Sequence, residues 1–120
     1  NKNFVINYPK SISAFNLKDL INSENEKVTV IDVRENLELE IASFPYTDMH
    51  IPMSSLSIGN ISTRISKFKD TKIVVLCHMG VRSYNFGTFL LENNIVDEVW
   101  NLEEGIDGWS RYVDSTITRY

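Results

Sequence analysis

Apolar positions along the chain fall into two alternating rhythms, short β-branched runs and stretches with apolar residues three and four apart. After a weak apolar start at Phe4-Val5-Ile6, Ser13 offers an N-cap, and Phe15, Leu17, Leu20 and Ile21 follow at helical spacing. Val28 to Val33 is nearly continuous in β-branched residues and predicts a buried strand. Glu35 to Ala42 reads as a short acidic helix, and Met49-His50-Ile51 as a brief strand between Pro45 and Pro52. Ile58, Ile61, Ile65 and Phe68 predict a helix starting near Ser57 or Asn60. Lys72 to Leu76 is the strongest strand signal, because it is apolar and uninterrupted after its first residue. A helix over Arg82–Glu92, stopped by Asn93-Asn94, a strand over Val96–Leu102 and a short helix opened by Gly105 complete the series. Continuous apolar strands separated by helices imply an α/β fold, with a central, mostly parallel sheet and helices on both faces.

Composition narrows the class. The chain has 120 residues, which suits a single domain over 1–120 with one core. Twelve Lys+Arg against sixteen Asp+Glu leave a net charge of −4, a balance that argues against a nucleic-acid partner. No apolar run approaches the ~20 residues of a membrane helix, so no membrane partner is expected. The chain begins at Asn1, which leaves a cleaved targeting segment open. The absence of a visible signal and the lone cysteine favour a reducing cytoplasm. That cysteine, Cys77, excludes an internal disulfide and any multi-cysteine metal site.

In parallel α/β sheets ligands sit beyond the carboxyl ends of the strands. The best strand runs directly into Cys77-His78-Met79-Gly80-Val81-Arg82-Ser83, so this segment is the expected working end. Four residues between Cys77 and Arg82 must turn the chain from strand to helix, and Gly80 supplies the freedom for so tight a turn. Amides converging inside such a loop, with a helix N-terminus behind them, form a cradle for an anion. The anion would be the Cys77 sulfur or a charged group upon it, with Arg82 in reach. Taken alone, a cysteine at the end of a buried strand is more often a small core hydrophobe. Gly80, Arg82 and Ser83 placed just after it favour a nucleophile.

The same loop resembles the active-site loop of single-domain rhodaneses, the sulfurtransferases. Ile31-Asp32-Val33-Arg34-Glu35 is similar to that family's Asp-x-Arg segment, and Val99 to Trp109 to the segment after its active-site helix. The three blocks lie in the family's order, and the resemblance extends over most of residues 12–112. The resemblance implies a rhodanese-like fold and a sulfurtransferase in which Cys77 carries sulfur as a persulfide, with no metal or organic cofactor needed. The donor would be a small sulfane compound such as thiosulfate, and the acceptor a thiol or a protein. Cys77 and Arg82 would be catalytic, with His78, Met79, Gly80, Val81 and Ser83 lining the substrate position. Asp32 and Arg34 would knit the loop to its neighbours. His50 is expected to be a satisfied core or edge histidine, and Trp100, Trp109 and Phe86 core aromatics.

The chain departs from the family pattern at Ser43 to Thr47, where relatives carry a His and a Gly, and at Glu104, which replaces a glycine. A charge at Glu104, if near the pocket, would disfavour a dianionic donor. The rival readings are a non-catalytic binding or regulatory module on the same fold and, less favoured, a cysteine phosphatase or arsenate reductase. Phosphatases of this fold place a longer spacer between cysteine and arginine, making a ring wide enough for phosphate. The four residues present here suit a single sulfur.

Overall fold

The computed structural model describes residues 7–55 and 57–120. Its elements run β1 (Lys10–Ile12), α1 (Ala14–Asn22), β2 (Val28–Asp32), α2 (Asn36–Ile41), β3 (Met49–His50), α3 (Ile58–Ser66), β4 (Lys72–Leu76), α4 (Val81–Glu92), β5 (Trp100–Leu102) and α5 (Gly105–Tyr112), with a short 3-10 turn at Met53–Ser55. The strands lie in the order β1-β5-β4-β2-β3, and every neighbouring pair is parallel. β4 is therefore central, and its carboxyl end is the natural place for a site.

The alternation of side chains along β4 builds two cores. Val74 and Leu76 face one side with Leu17 and Leu20 of α1 and Ile106 and Trp109 of α5. Ile73, Val75 and Cys77 face the other with Ile61 and Ile65 of α3 and Phe86 and Leu90 of α4. Strands apolar on both faces need helices on both faces to exclude water, and the helices supply them. The expected α/β architecture holds, and among the described strands the sheet is wholly parallel.

Several boundaries follow directly from local chemistry. Ser13 caps α1 by accepting the Asn16 N–H at 3.1 Å. Glu35 opens α2 in a capping box with Glu38. Other expectations need correction. The strand expected over Val96–Leu102 spans only Trp100–Leu102, because Val96 is spent packing into the α3/α4 core rather than pairing. Phe15 points away from the core, 57 % exposed, with its ring 6.1 Å from that of Tyr112. Trp100 is half-buried, roofed by the Lys72 ammonium at 4.4 Å and the Lys10 ammonium at 5.2 Å. Trp109 and Phe86 are core aromatics as expected. The expectation for Phe4 to Ile6 lies outside the described residues. β1 went unread because three residues with one buried side chain, Ile12, carry no periodic signal.

Candidate active site

Cys77 leaves the end of β4 with its side chain 1 % exposed, inside the α3/α4 core layer. Two polar groups reach its sulfur. The Gly80 N–H donates at 3.1 Å and the Ser83 hydroxyl lies at 3.2 Å. Gly80 takes φ +105, the left-handed region, and so turns its amide back onto the sulfur while serving as N-cap of α4. Among the described residues Gly80 supplies the backbone amide that contacts Sγ, a narrower cradle than one built from every amide between His78 and Ser83.

Asn101 on β5 fixes this turn. Its Nδ2 donates to the Gly80 carbonyl at 3.0 Å, and its Oδ1 accepts from Ser83. The Ser83 hydroxyl, fully buried, thus lies between the Asn101 carbonyl and the sulfur. A polar residue amid the apolar run Val99-Trp100-Asn101-Leu102 was the available signal for this contact, and buried polar side chains are hydrogen-bonded for a reason.

The loop is closed from behind by α5. Ile106 N–H donates to the Cys77 carbonyl at 2.9 Å and Asp107 N–H to the His78 carbonyl at 3.1 Å. Gly105, at φ +57, permits that approach, since a Cβ there would lie 2.4 Å from both carbonyl oxygens. Glu104 also adopts positive φ, +60, which gives a physical reason for a glycine at this position in relatives. Its carboxylate pairs with Arg111 on α5, which neutralises the charge that the sequence left in question.

Arg82 and Arg34 each hold a carboxylate. Arg82 makes a two-pronged pair with Glu38 of α2, at 2.5 and 2.8 Å. Hydrogen bonds donated to the Glu38 carboxylate raise the Arg82 pKa above its ordinary value, against the opposing effect of burial. Arg34, fully buried, forks onto Asp32 through Nε and Nη2, the latter at 2.8 Å. Burial works against its charge, yet the Asp32 and Tyr120 hydrogen bonds hold its pKa above the usual value. His50 donates from Nε2 to the Arg34 carbonyl at 2.6 Å, a satisfied half-buried histidine.

Glu38 and Tyr120 carry no sequence signal tying them to the loop, being 44 and 42 residues from their loop partners. The Tyr120 ring stacks on the His78 imidazole at 3.9 Å and 7°. Its hydroxyl donates to Glu38 Oε2 at 2.7 Å and accepts from Arg34 Nη1 at 3.1 Å. Burial first, with the Glu38 hydrogen bond, pushes the Tyr120 pKa up to about 12 although Arg34 opposes the rise. Met79 and Val81 form the exposed outer lip, 58 % and 71 % accessible. The Ser43–Thr47 stretch turns away from the loop, because Phe44 packs edge-on to Trp109 at 4.9 Å in the α1/α5 core.

The Glu38 carboxyl is held down to about 2, by the Arg82 hydrogen bonds first and by those of Tyr120 and the Glu35 amide, with burial opposing. A carboxylate depressed in the folded state contributes its full stability above the unfolded value of 4.5, and loses it as pH falls through about 2. Chemical denaturation across that window should therefore show the protein losing stability on acidification more steeply than Glu38→Gln. Parallel pH profiles for the two would deny the pair its role.

Fold and site together define an α/β protein presenting one thiol at the carboxyl edge of its central parallel strand. The Rhodanese-like domain family model matches residues 13–112, and the chain belongs to that family. Thiosulfate sulfurtransferase GlpE of Actinobacillus pleuropneumoniae is 31 % identical over 88 residues, 73 % of this chain and 76 % of its own. Adenylyltransferase and sulfurtransferase UBA4 of Debaryomyces hansenii is 32 % identical over 102 residues; these are 82 % of this chain but 23 % of that longer protein. A crystal structure from Staphylococcus saprophyticus superposes with a TM-score of 0.69 at 28 % identity, covering 91 % of this chain and 98 % of its own. Relatives named as sulfurtransferases at this similarity put the chain in a sulfurtransferase family.

Proposed function

We propose that the protein transfers a sulfane sulfur through a persulfide on Cys77. The observation that carries this reading is the Gly80 N–H donating to Sγ at 3.1 Å at the turn between β4 and α4, with the Ser83 hydroxyl, held by Asn101, as a polar neighbour of the sulfur at 3.2 Å. Donors aimed at a sulfur stabilise the thiolate, the form that attacks, and then the negative outer sulfur that replaces it.

With thiosulfate the Cys77 thiolate attacks the sulfane sulfur and forms an S–S bond. The donor's own S–S bond breaks, and sulfite departs with its electron pair. An acceptor thiolate or cyanide then attacks the outer sulfur and returns the electron pair to Cys77. No net oxidation occurs and no metal takes part in any step. Arg82 supports the loop through Glu38 and adds positive charge beside it, His78 and Met79 flank the entry, and Arg34 with Asp32 fixes the end of β2. The acceptor in the cell would be a thiol or a protein, and the cytoplasm the expected compartment.

The test is turnover. With thiosulfate and cyanide the protein should form thiocyanate, and Cys77→Ser should fall to background with its fold intact. Equal rates from the two proteins would remove Cys77 from the chemistry. Absence of turnover in both would favour a rhodanese-like module that binds without transferring sulfur.

A further inference from the structure

Beyond α5, residues 113–120 turn back toward the Cys77 loop. Asp114 Oδ1 accepts from the Thr116 amide at 3.1 Å and its hydroxyl at 2.5 Å, which tightens the turn. Ser110 Oγ donates to the Ile117 carbonyl at 2.6 Å, and Ile117 packs against the α1/α5 core. Arg119 pairs with Asp107 at 2.9 Å, one residue beyond the amide bond that holds the Cys77 carbonyl. Tyr120 then lies on His78 and reaches Glu38 and Arg34. Each of these three partners belongs to the site: His78 follows the nucleophile, Glu38 holds Arg82, and Arg34 holds Asp32.

Two observations bear on what this contact does. Cys77 is 1 % exposed, and Tyr120 lies on His78, the residue that follows it. His78 Nε2 is buried without a hydrogen-bond partner beneath the stacked phenol, an unfavourable arrangement that water would relieve if the ring moved away. The side chains that anchor the segment's end are themselves exposed, Arg119 to 56 % and Tyr120 to 37 %. The closed contact is thus held by a few surface bonds and opposed by one unsatisfied buried nitrogen.

We propose that residues 114–120 form a strap across the Cys77 loop, latched by Tyr120 between His78, Glu38 and Arg34, and that the latch opens to admit the sulfur donor and acceptor. This rests on Cys77 being the sulfur-carrying nucleophile. Tyr120 is then a gate on that site and not part of the cradle around the sulfur.

Alkylation of Cys77 by iodoacetamide measures opening without requiring any sulfur transfer, so the gate and the transfer reaction fail separately. Tyr120→Ala removes the stack and the hydrogen bonds to two charged groups, and should alkylate roughly tenfold faster than the unaltered protein. Tyr120→Phe keeps the stack and loses the hydroxyl, and should fall between the two. Thermal unfolding of each variant, read in parallel, shows that it is folded. Alkylation within about twofold across all three folded proteins would overturn the strap, whatever the turnover assay gives. So would slower sulfur loading at unchanged alkylation, which makes Tyr120 a positioning residue. Faster alkylation in a protein that never loads sulfur would uphold the gate and sink the transfer reading alone.

Discussion

Arg34→Ala will lose about 3–5 kcal/mol of stability, the cost of leaving a buried charge without its partner. Asp32 is 1 % exposed and Arg34 is fully buried, so neither group has water to fall back on. Asp32 Oδ1 and Oδ2 together accept from the Arg34 amide, Nε and Nη2. Without the guanidinium, the buried Asp32 keeps only the backbone amide of residue 34 among these partners, and the end of β2 is weakened. The change also removes the donor that steadies the Tyr120 hydroxyl. Against a total of about 5–15 kcal/mol for an ordinary domain, such a loss is close to disabling. Urea unfolding is the measurement. The double variant Asp32→Leu/Arg34→Met should recover much of the loss, because a buried ion pair exceeds a well-packed apolar pair by little or nothing. A single variant as stable as the parent would contradict the buried pairing. Arg34→Lys keeps the charge but not the fork, and belongs with the destabilised variants.

Gly105→Ala will be the second severe lesion, on the order of 3 kcal/mol or more, and it will take the site with it. Alanine at φ +57 is strained before any contact is considered. Its Cβ would also stand 2.4 Å from the carbonyl oxygens of Cys77 and His78, and backbone atoms on both sides leave no flexible side chain to yield. Relief requires α5 to back away from the loop, breaking the Ile106 and Asp107 amide bonds that hold the two carbonyls. Sulfur loading should therefore collapse even in the fraction that stays folded. Gly59→Ala is the contrast: it sits in α3 with nothing within 4 Å, and alanine there should stabilise by about 0.5–1 kcal/mol. Comparable effects from the two substitutions would mean that the close approach of α5 is not a constraint.

What could be read from the chain divides along the distance over which each signal acts. β2 and β4 are buried on both faces, so their need for helices on either side is written into uninterrupted apolar runs such as Ile73 to Leu76. The loop from Cys77 to Ser83 is contiguous, and its cysteine, glycine and arginine fall within six residues of one another, so its chemistry is legible locally. Its supports are not. Glu38 meets Arg82 across 44 residues, Asn101 meets Gly80 across 21, and Tyr120 meets Glu38 across 82. Helical and strand periods report burial along one element, and they are silent about which distant carboxylate an arginine will find. The same limit applies to Trp100, which packs against the edge of the α1/α5 core while two lysines on neighbouring strands lie over its ring. The shortening of β5 is a case of packing overriding propensity, as Val96 serves α3 and α4.

Weighing the intact protein after incubation with thiosulfate puts the persulfide to the most direct test. The account predicts a gain of one sulfur atom, removed by cyanide and absent from Cys77→Ser. A protein whose mass stays unchanged, while its Cys77 still reacts with iodoacetamide, would contradict it.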